Sequence, residues 1–159
     1  MAHPPSRYGA VQTPNEIQGD EMADRVWLVD YFHIKVLNRP GTGARALSVL
    51  KEAGVNLIAF NAFPTRWVRA QLNFVPADSE ALKAAARTAK WRVAGPRQAL
   101  LIESADGTRS LADYFTKLGE AKIRVTATSA IVTASGRAGT ILWVKPRDLQ
   151  RAVQVLDGG

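Results

Sequence analysis

The side chains able to do chemistry in this chain are few and widely spaced. Its 159 residues include no cysteine, which removes disulfides, thiolate nucleophiles and metal sites built on thiolates. The two histidines, His3 and His33, are 30 positions apart. His33 alternates within an apolar run, the pattern of a core or half-buried residue rather than of a general base. Asp30, Glu103 and Asp113 form no carboxylate pair suited to acid–base work, and Ser104, Ser110 and Ser129 have no neighbouring base in the sequence. The residue types therefore predict no catalytic constellation, no metal centre and no cofactor. What remains is one loop, Asn38, Arg39, Pro40, Gly41, Thr42 and Gly43, between an apolar run and an amphipathic segment. Gly41 allows a tight turn and close approach of a ligand to the backbone. The helix that follows would point unpaired N–H groups at a carboxylate. Asn38 offers an acceptor for an ammonium and a donor for a carboxylate, the two groups a free amino acid presents. The same residues also fit a plain turn, with Asn38 bonding its own backbone and Gly41 serving geometry. Both readings stand at this point.

Gly41, Gly43 and Ala46 also trace G-x-G-x-x-A, the outline of a dinucleotide loop. That fold needs an acidic residue about 20 positions on, to hold the ribose. After Glu52 the next acid is Asp78, and no second parallel β-α-β step follows. The dinucleotide reading fails.

The elements that must position this loop are legible from their periods. Residues 25–36 (RVWLVDYFHIKV) read as a strand. Ala46, Leu47, Leu50 and Ala53 recur at helical spacing, and Gly54 closes that helix. Residues 55–62 and 66–75 read as strands, the latter setting Val68, Ala70, Leu72 and Phe74 against Trp67, Arg69, Gln71 and Asn73. Asp78 or Ser79 caps a helix with Leu82, Ala85, Ala86 and Ala89 on one face. Residues 91–93 read as a fourth strand, closed by Gly95 and Pro96. The order is β-α-β-β-α-β, the ferredoxin-like split unit. A second copy follows: a strand over 98–104, a helix bearing Leu111, Tyr114, Phe115 and Leu118, strands over 122–133 and 139–145, and a helix opened by Pro146 with Leu149, Ala152, Val153 and Leu156 on one face. An offset of 68 pairs Ile34 with Ile102, Leu50 with Leu118 and Leu57 with Val125; after a longer turn, Val75-Pro76 meets Lys145-Pro146 at 70.

The expected fold class is therefore α+β, two tandem ferredoxin-like βαββαβ sandwiches with antiparallel sheets. The second copy lacks its last strand, leaving an edge for another element or chain to cover. The expected boundaries are a disordered arm over 1–24, rich in Pro, Gly and polar residues, then domains over 25–96 and 97–159.

Residues 38–57, NRPGTGARALSVLKEAGVNL, resemble the ACT domain, a small-molecule-sensing module of amino-acid metabolism. The family writes Asp or Asn, x-Pro-Gly, an amphipathic helix, then Gly-hydrophobic-Asn-hydrophobic. Asn38, Pro40, Gly41, Gly54, Val55, Asn56 and Leu57 occupy those slots. The resemblance extends over residues 25–156 and implies a stand-alone tandem ACT protein that binds an amino-acid effector and is non-catalytic. It adds Asn56, Leu57 and Ile58 to the ligand set, since effectors in that family lie between the loop and the start of strand two of a paired domain. Gly43 stands where the family usually has an apolar residue. The second copy offers Asp106, Gly107, Thr108, Arg109 and Ile123, but Arg109 and Lys122 replace both signature glycines; either Arg109 blocks close approach and this copy is structural, or it swings over the pocket to pair with a carboxylate.

The formal net charge is +7. The first 24 residues oppose it, with Arg7 against Glu16, Asp20, Glu21 and Asp24, which leaves a balance of −3 there and +10 in the remainder. A basic body suits carboxylates or polyanions. The competing function is RNA binding, or a protein-interaction module on a basic ferredoxin-like sheet, with Arg66, Trp67 and Arg69 on one strand and Lys122 and Arg124 on another. Residues 66–75 lack the Gly-aromatic pattern of the RNA octamer, so nucleic acid is not the expected partner. No apolar run approaches the roughly 20 residues that span a bilayer, and the N-terminus lacks a secretory layout. The expectation is a cytoplasmic protein, free of membrane, that forms a homodimer and passes its signal to a separate protein.

Overall fold

The computed structural model describes residues 24–105 and 107–157. The arm expected over residues 1–24 lies, Asp24 apart, outside the described residues, as do Asp106 and the side chains at positions 107 and 108. The elements are β1 (Arg25–Leu37), α1 (Thr42–Glu52), β2 (Leu57–Arg66), β3 (Arg69–Pro76), α2 (Ser79–Thr88), β4 (Ala94–Ser104), α3 (Gly107–Glu120), β5 (Val125–Val132), β6 (Ala138–Val144), a 3-10 turn (Pro146–Asp148) and α4 (Leu149–Asp157). The class is α+β. The chain forms two compact units, one of Asp30–Arg97 and the other of residues 98–157 with residues 24–29. The division falls inside β1 and inside β4.

In the first unit β3 pairs antiparallel with both β1 and β2, and the first residues of β4 lie beside β1. Alternation sends Phe32, Ile34, Leu72 and Phe74 to one face, where they bury with Ala46 and Leu50 of α1 and Leu82 and Ala85 of α2. Of the two caps the sequence offers, Asp78 rather than Ser79 caps α2, accepting hydrogen bonds from the amides of Glu80 and Ala81. Two expectations change. Trp67 and Val68 are not strand but the β2–β3 turn, Trp67 holding a left-handed φ of +51° while Arg66 pairs with Arg69. Residues 91–93 are not strand either: the Trp91 ring stacks on Phe74 at 5.9 Å. The strand instead starts at Ala94 and runs through Gly95 and Pro96, which the sequence reads as a break. It can do so because Gly95, at φ +123°, lies so close to Tyr31 that an added Cβ would sit 2.8 Å from its carbonyl oxygen.

Three helices end alike. Gly54, Lys90 and Lys122 are left-handed, and the amides of Val55, Trp91 and Ile123 reach back to the carbonyls of Leu50, Ala86 and Leu118, the Schellman arrangement. Lys122 thus keeps the conformation that Gly54 takes after α1. A β-carbon there costs about 1–2 kcal/mol, against roughly 0.5–1 kcal/mol of extra chain entropy for glycine. Lys122→Gly should therefore raise stability by about 0.5–1 kcal/mol in urea melts, a gain that no change at the exposed ammonium would supply.

In the second unit β6 lies antiparallel between β4 and β5, and the first residues of β1 lie beside β4. Val26 and Leu28 pack on a core of Leu100, Ile102, Leu118, Ile123 and Leu142. The open edge expected beside residues 98–104 is thus covered by a strand borrowed from residues 25–29 of the same chain. The register also corrects the repeat. Ile34 faces Leu72 and Leu57 faces Pro76; Ile102 faces Thr140 and Val125 faces Val144. The offset is 68 in all four strands compared, so the match of Val75-Pro76 to Lys145-Pro146 at 70 is not a structural one. Pairing across the sheet, rather than the proline, fixes the equivalence.

Candidate functional site

The β1–α1 loop and the sheet ends beneath it enclose a pocket of about 180 Å³ in the first unit. Its polar side is Asn38, Arg39, Thr42 and the backbone at Gly43; its apolar side includes Val36, Ala62, Phe63, Pro64 and Ala70. The register explains the hollow. Val36 pairs with Ala70 and Ala70 with Pro64, while Leu72 pairs with Ala62. Small residues at the strand ends, under a helix that begins Thr-Gly-Ala, leave space that larger side chains would fill.

The loop holds this shape through its backbone. Asn38 N–H donates to the Val68 carbonyl at 2.6 Å and Thr42 N–H to the Arg39 carbonyl at 3.2 Å. Gly41, at φ +83°, is the N-cap of α1 and supplies no side-chain cap. Pro40 and Gly41 make the turn but do not line the pocket. An Asx turn at Asn38 does not form: among the described residues its carboxamide makes no hydrogen bond, and the Arg39 guanidinium makes no ion pair. Thr42 accepts a long hydrogen bond, 3.4 Å, from Arg45. The pocket therefore has an apolar floor and a rim with one uncommitted amide and one uncommitted cation.

The structure brings Asn38, Arg39, Thr42 and Gly43 together and keeps Asn56, Leu57 and Ile58 apart from them within this unit. Asn56 precedes β2 and Leu57 and Ile58 open it, whereas Ala62 to Pro64, toward its other end, wall the pocket. Ala62 and Ala70 carry no sequence mark but their small size, and Phe63 and Pro64 come to the loop only through pairing across the sheet. In the second unit Arg109 is exposed in the first turn of α3 and Ile123 is buried in the core. A larger hollow of about 550 Å³ between α1 and α2 is walled by Val49, Ala53, Ala81, Ala84, Ala85 and Ala89. Its polar lining is Glu52 and Thr88, with no cation to pair with a carboxylate.

His33 is half-buried on the face of β1 opposite Phe32 and Ile34, paired across strands with Asn73. Burial, and then the positive charges of Arg97 and Lys35, lower its pKa. Its Nδ1 is buried without a hydrogen-bond partner. It does not line the pocket.

No protein-family model and no curated protein matches this sequence. Solved structures do. A Bacteroides thetaiotaomicron protein matches with a TM-score of 0.72 at 14% identity, over 84% of this chain and 89% of its own. The regulatory subunit of aspartate kinase from Thermus thermophilus matches at 0.61 and 14%, over 87% and 97%. That from Thermus flavus matches at 0.53 and 16%, over 84% and 95%. At such identities the likeness is one of fold: the chain has the α+β fold of these regulatory subunits. Among the described residues, no helix is long and apolar enough to cross a membrane.

Proposed function

We propose that this chain is a non-catalytic regulatory protein, of tandem ACT type, that binds a free amino acid or similar small carboxylate in the β1–α1 pocket of its first unit. The observation that carries the reading is the rim: Asn38 and Arg39 stand uncommitted at the mouth of an apolar hollow. Arg39 can pair with a carboxylate, and the Asn38 carbonyl can accept from an ammonium. A cavity of about 150 Å³ is known to hold a benzene molecule, so about 180 Å³ admits a modest apolar side chain. The fold shared with aspartate kinase regulatory subunits supports a regulatory role. In a homodimer, Asn56, Leu57 and Ile58 of a second copy would complete the site, and ligand would act by favouring the paired arrangement. The signal would then pass to a separate protein.

The test is a thermal-shift screen of the chain against the proteinogenic amino acids at millimolar concentration. A ligand at 100 times its dissociation constant adds about 2.7 kcal/mol. One or a few amino acids should raise the melting temperature, and Asn38→Ala should weaken that response about tenfold. A response unchanged in Asn38→Ala would remove the rim from the site.

One observation favours a second reading. Trp67 is 97% exposed between Arg66 and Arg69 in the β2–β3 turn, a stacking residue flanked by cations as in single-strand RNA binding. A flat amino-acid screen, together with RNA retention that falls steeply with salt and is lost in Trp67→Ala, would replace the first reading by this one.

A further inference from the structure

We propose that the ligand of the β1–α1 pocket is an aliphatic 2-oxo acid, a carboxylate with an oxygen rather than an ammonium beside it. The inference rests on the function proposed above and narrows it. It starts from where the charges of the first unit lie. Residues 30–97 contain four acids, Asp30, Glu52, Asp78 and Glu80, and none of them lines the pocket. Asp30 is far back in β1, where the Ser79 hydroxyl donates to it. Glu52 ends α1, about 15 Å of helix from Thr42 at its start. Asp78 and Glu80 open α2, just after Pro76, which pairs with Leu57 at the start of β2. The pocket is walled from the other end of β2. All four acids thus sit toward the end of the unit remote from it.

Cations hold the pocket end instead. Arg39 lines the pocket itself. Arg45 bonds the hydroxyl of Thr42, another lining residue. Arg66 and Arg69 pair at the base of the turn whose Val68 carbonyl accepts from the Asn38 amide. Among the described residues, none of these four guanidiniums is in an ion pair. Thr42 accepts from Arg45, so its own O–H is left to donate. The side chains that give the pocket its polarity are therefore a guanidinium, a free hydroxyl proton and the Asn38 amide, which can present either end.

A 2-oxo acid brings three acceptor oxygens, one negative charge and no donor, which matches that set. An amino acid brings the same carboxylate with an ammonium, for which the lining offers no carboxylate and which the surrounding guanidiniums repel. The apolar wall takes the side chain in either case. The ammonium, not the side chain, is what the site discriminates against.

The experiment titrates the full chain with leucine, 4-methyl-2-oxopentanoate and 4-methylpentanoate, which share one side chain, so that the size of the hollow cancels. Valine and methionine are compared with their 2-oxo and 2-unsubstituted counterparts in the same way, and the set containing the tightest binder decides. The 2-oxo acid should bind at least about tenfold tighter than the amino acid, and about threefold or more tighter than the acid without a 2-oxygen. Its affinity should fall with salt more steeply than that of the zwitterion. Arg45 is exposed in the first turn of α1, where an acidic residue suits the helix. Arg45→Glu should therefore fold, and by replacing a cation with a carboxylate it should remove most of the preference for the 2-oxo acid. An amino acid that binds as tightly as its 2-oxo counterpart, or a preference unchanged in Arg45→Glu, overturns the inference and leaves the proposed function standing. Equal binding of the acid without a 2-oxygen overturns it as well. No binding by any of these acids defeats the proposed function, and the inference with it.

Discussion

Gly43→Leu should stabilise the protein slightly and abolish its response to the effector. Gly43 is the second residue of α1, and a Cβ built there meets nothing within 4 Å. Its backbone is not left-handed, unlike that of Gly41, so the substitution brings no strain. Leucine is better in a helix than glycine by under 1 kcal/mol, and the first turn realises only part of that. Leu111, at the equivalent place in α3, shows that the fold accepts this side chain. The added carbons enter a hollow of about 180 Å³ that Gly43 itself lines, and a ligand must then give up that space. Affinity should fall by more than tenfold, or at least 1.4 kcal/mol, while the unliganded melting temperature stays level or rises. This opposition of signs is diagnostic, since damage to the fold would lower both. A Gly43→Leu protein that answers the amino-acid screen as wild type does would place the ligand outside this pocket.

Much of the fold is written in local signals. The α2 cap, read as Asp78 or Ser79, and the left-handed Gly54 after α1 depend on residues close in sequence, whereas the turn at Asn38 is also held by the distant Val68 carbonyl. The repeat was visible for the same reason, as far as the start of the third strand. What the sequence hides is long-range pairing. Residues 25–36 form one unbroken run, yet Val26 and Leu28 pack, partly buried, against one core and Phe32 and Ile34 bury in the other. A period of two marks which face is buried but not against which helices, so the borrowed strand leaves no trace in the pattern. The pocket was half legible. Polar rim residues announce themselves by type, whereas Ala62 and Ala70 matter by what they lack. Tyr114 reads as an ordinary member of a helical apolar face, and it is one; its hydroxyl finds Asp24 across 90 residues of sequence, beyond the reach of any local rule.

Gly95→Ala tests the pairing of β1 with the start of β4, where the sequence suggested an interruption. A Cβ on Gly95 would lie 2.8 Å from the Tyr31 carbonyl oxygen, 3.1 Å from the Phe32 ring and 3.3 Å from the Phe32 Cα. Two of these neighbours are backbone and the third belongs to a fully buried side chain, so relief requires moving a strand rather than turning a rotamer. The φ of +123° adds a conformational cost, about 1–3 kcal/mol for a residue with a β-carbon, and the crowding adds a further 1–3 kcal/mol or so. Gly95→Ala should then cost about 3 kcal/mol, a large part of the 5–15 kcal/mol typical of a whole domain. Gly54→Ala is the matched control. It too is left-handed, at φ +71°, but its Cβ would meet nothing within 4 Å, so its cost should be the conformational part alone, about 1 kcal/mol. Urea melts of the two variants separate strain from contact. If Gly95→Ala costs no more than Gly54→Ala, the start of β4 yields easily and Phe32 is not held by it. If the difference is 2 kcal/mol or more, the close approach at Tyr31 is what lets the strand run through Gly95 and Pro96 without a break.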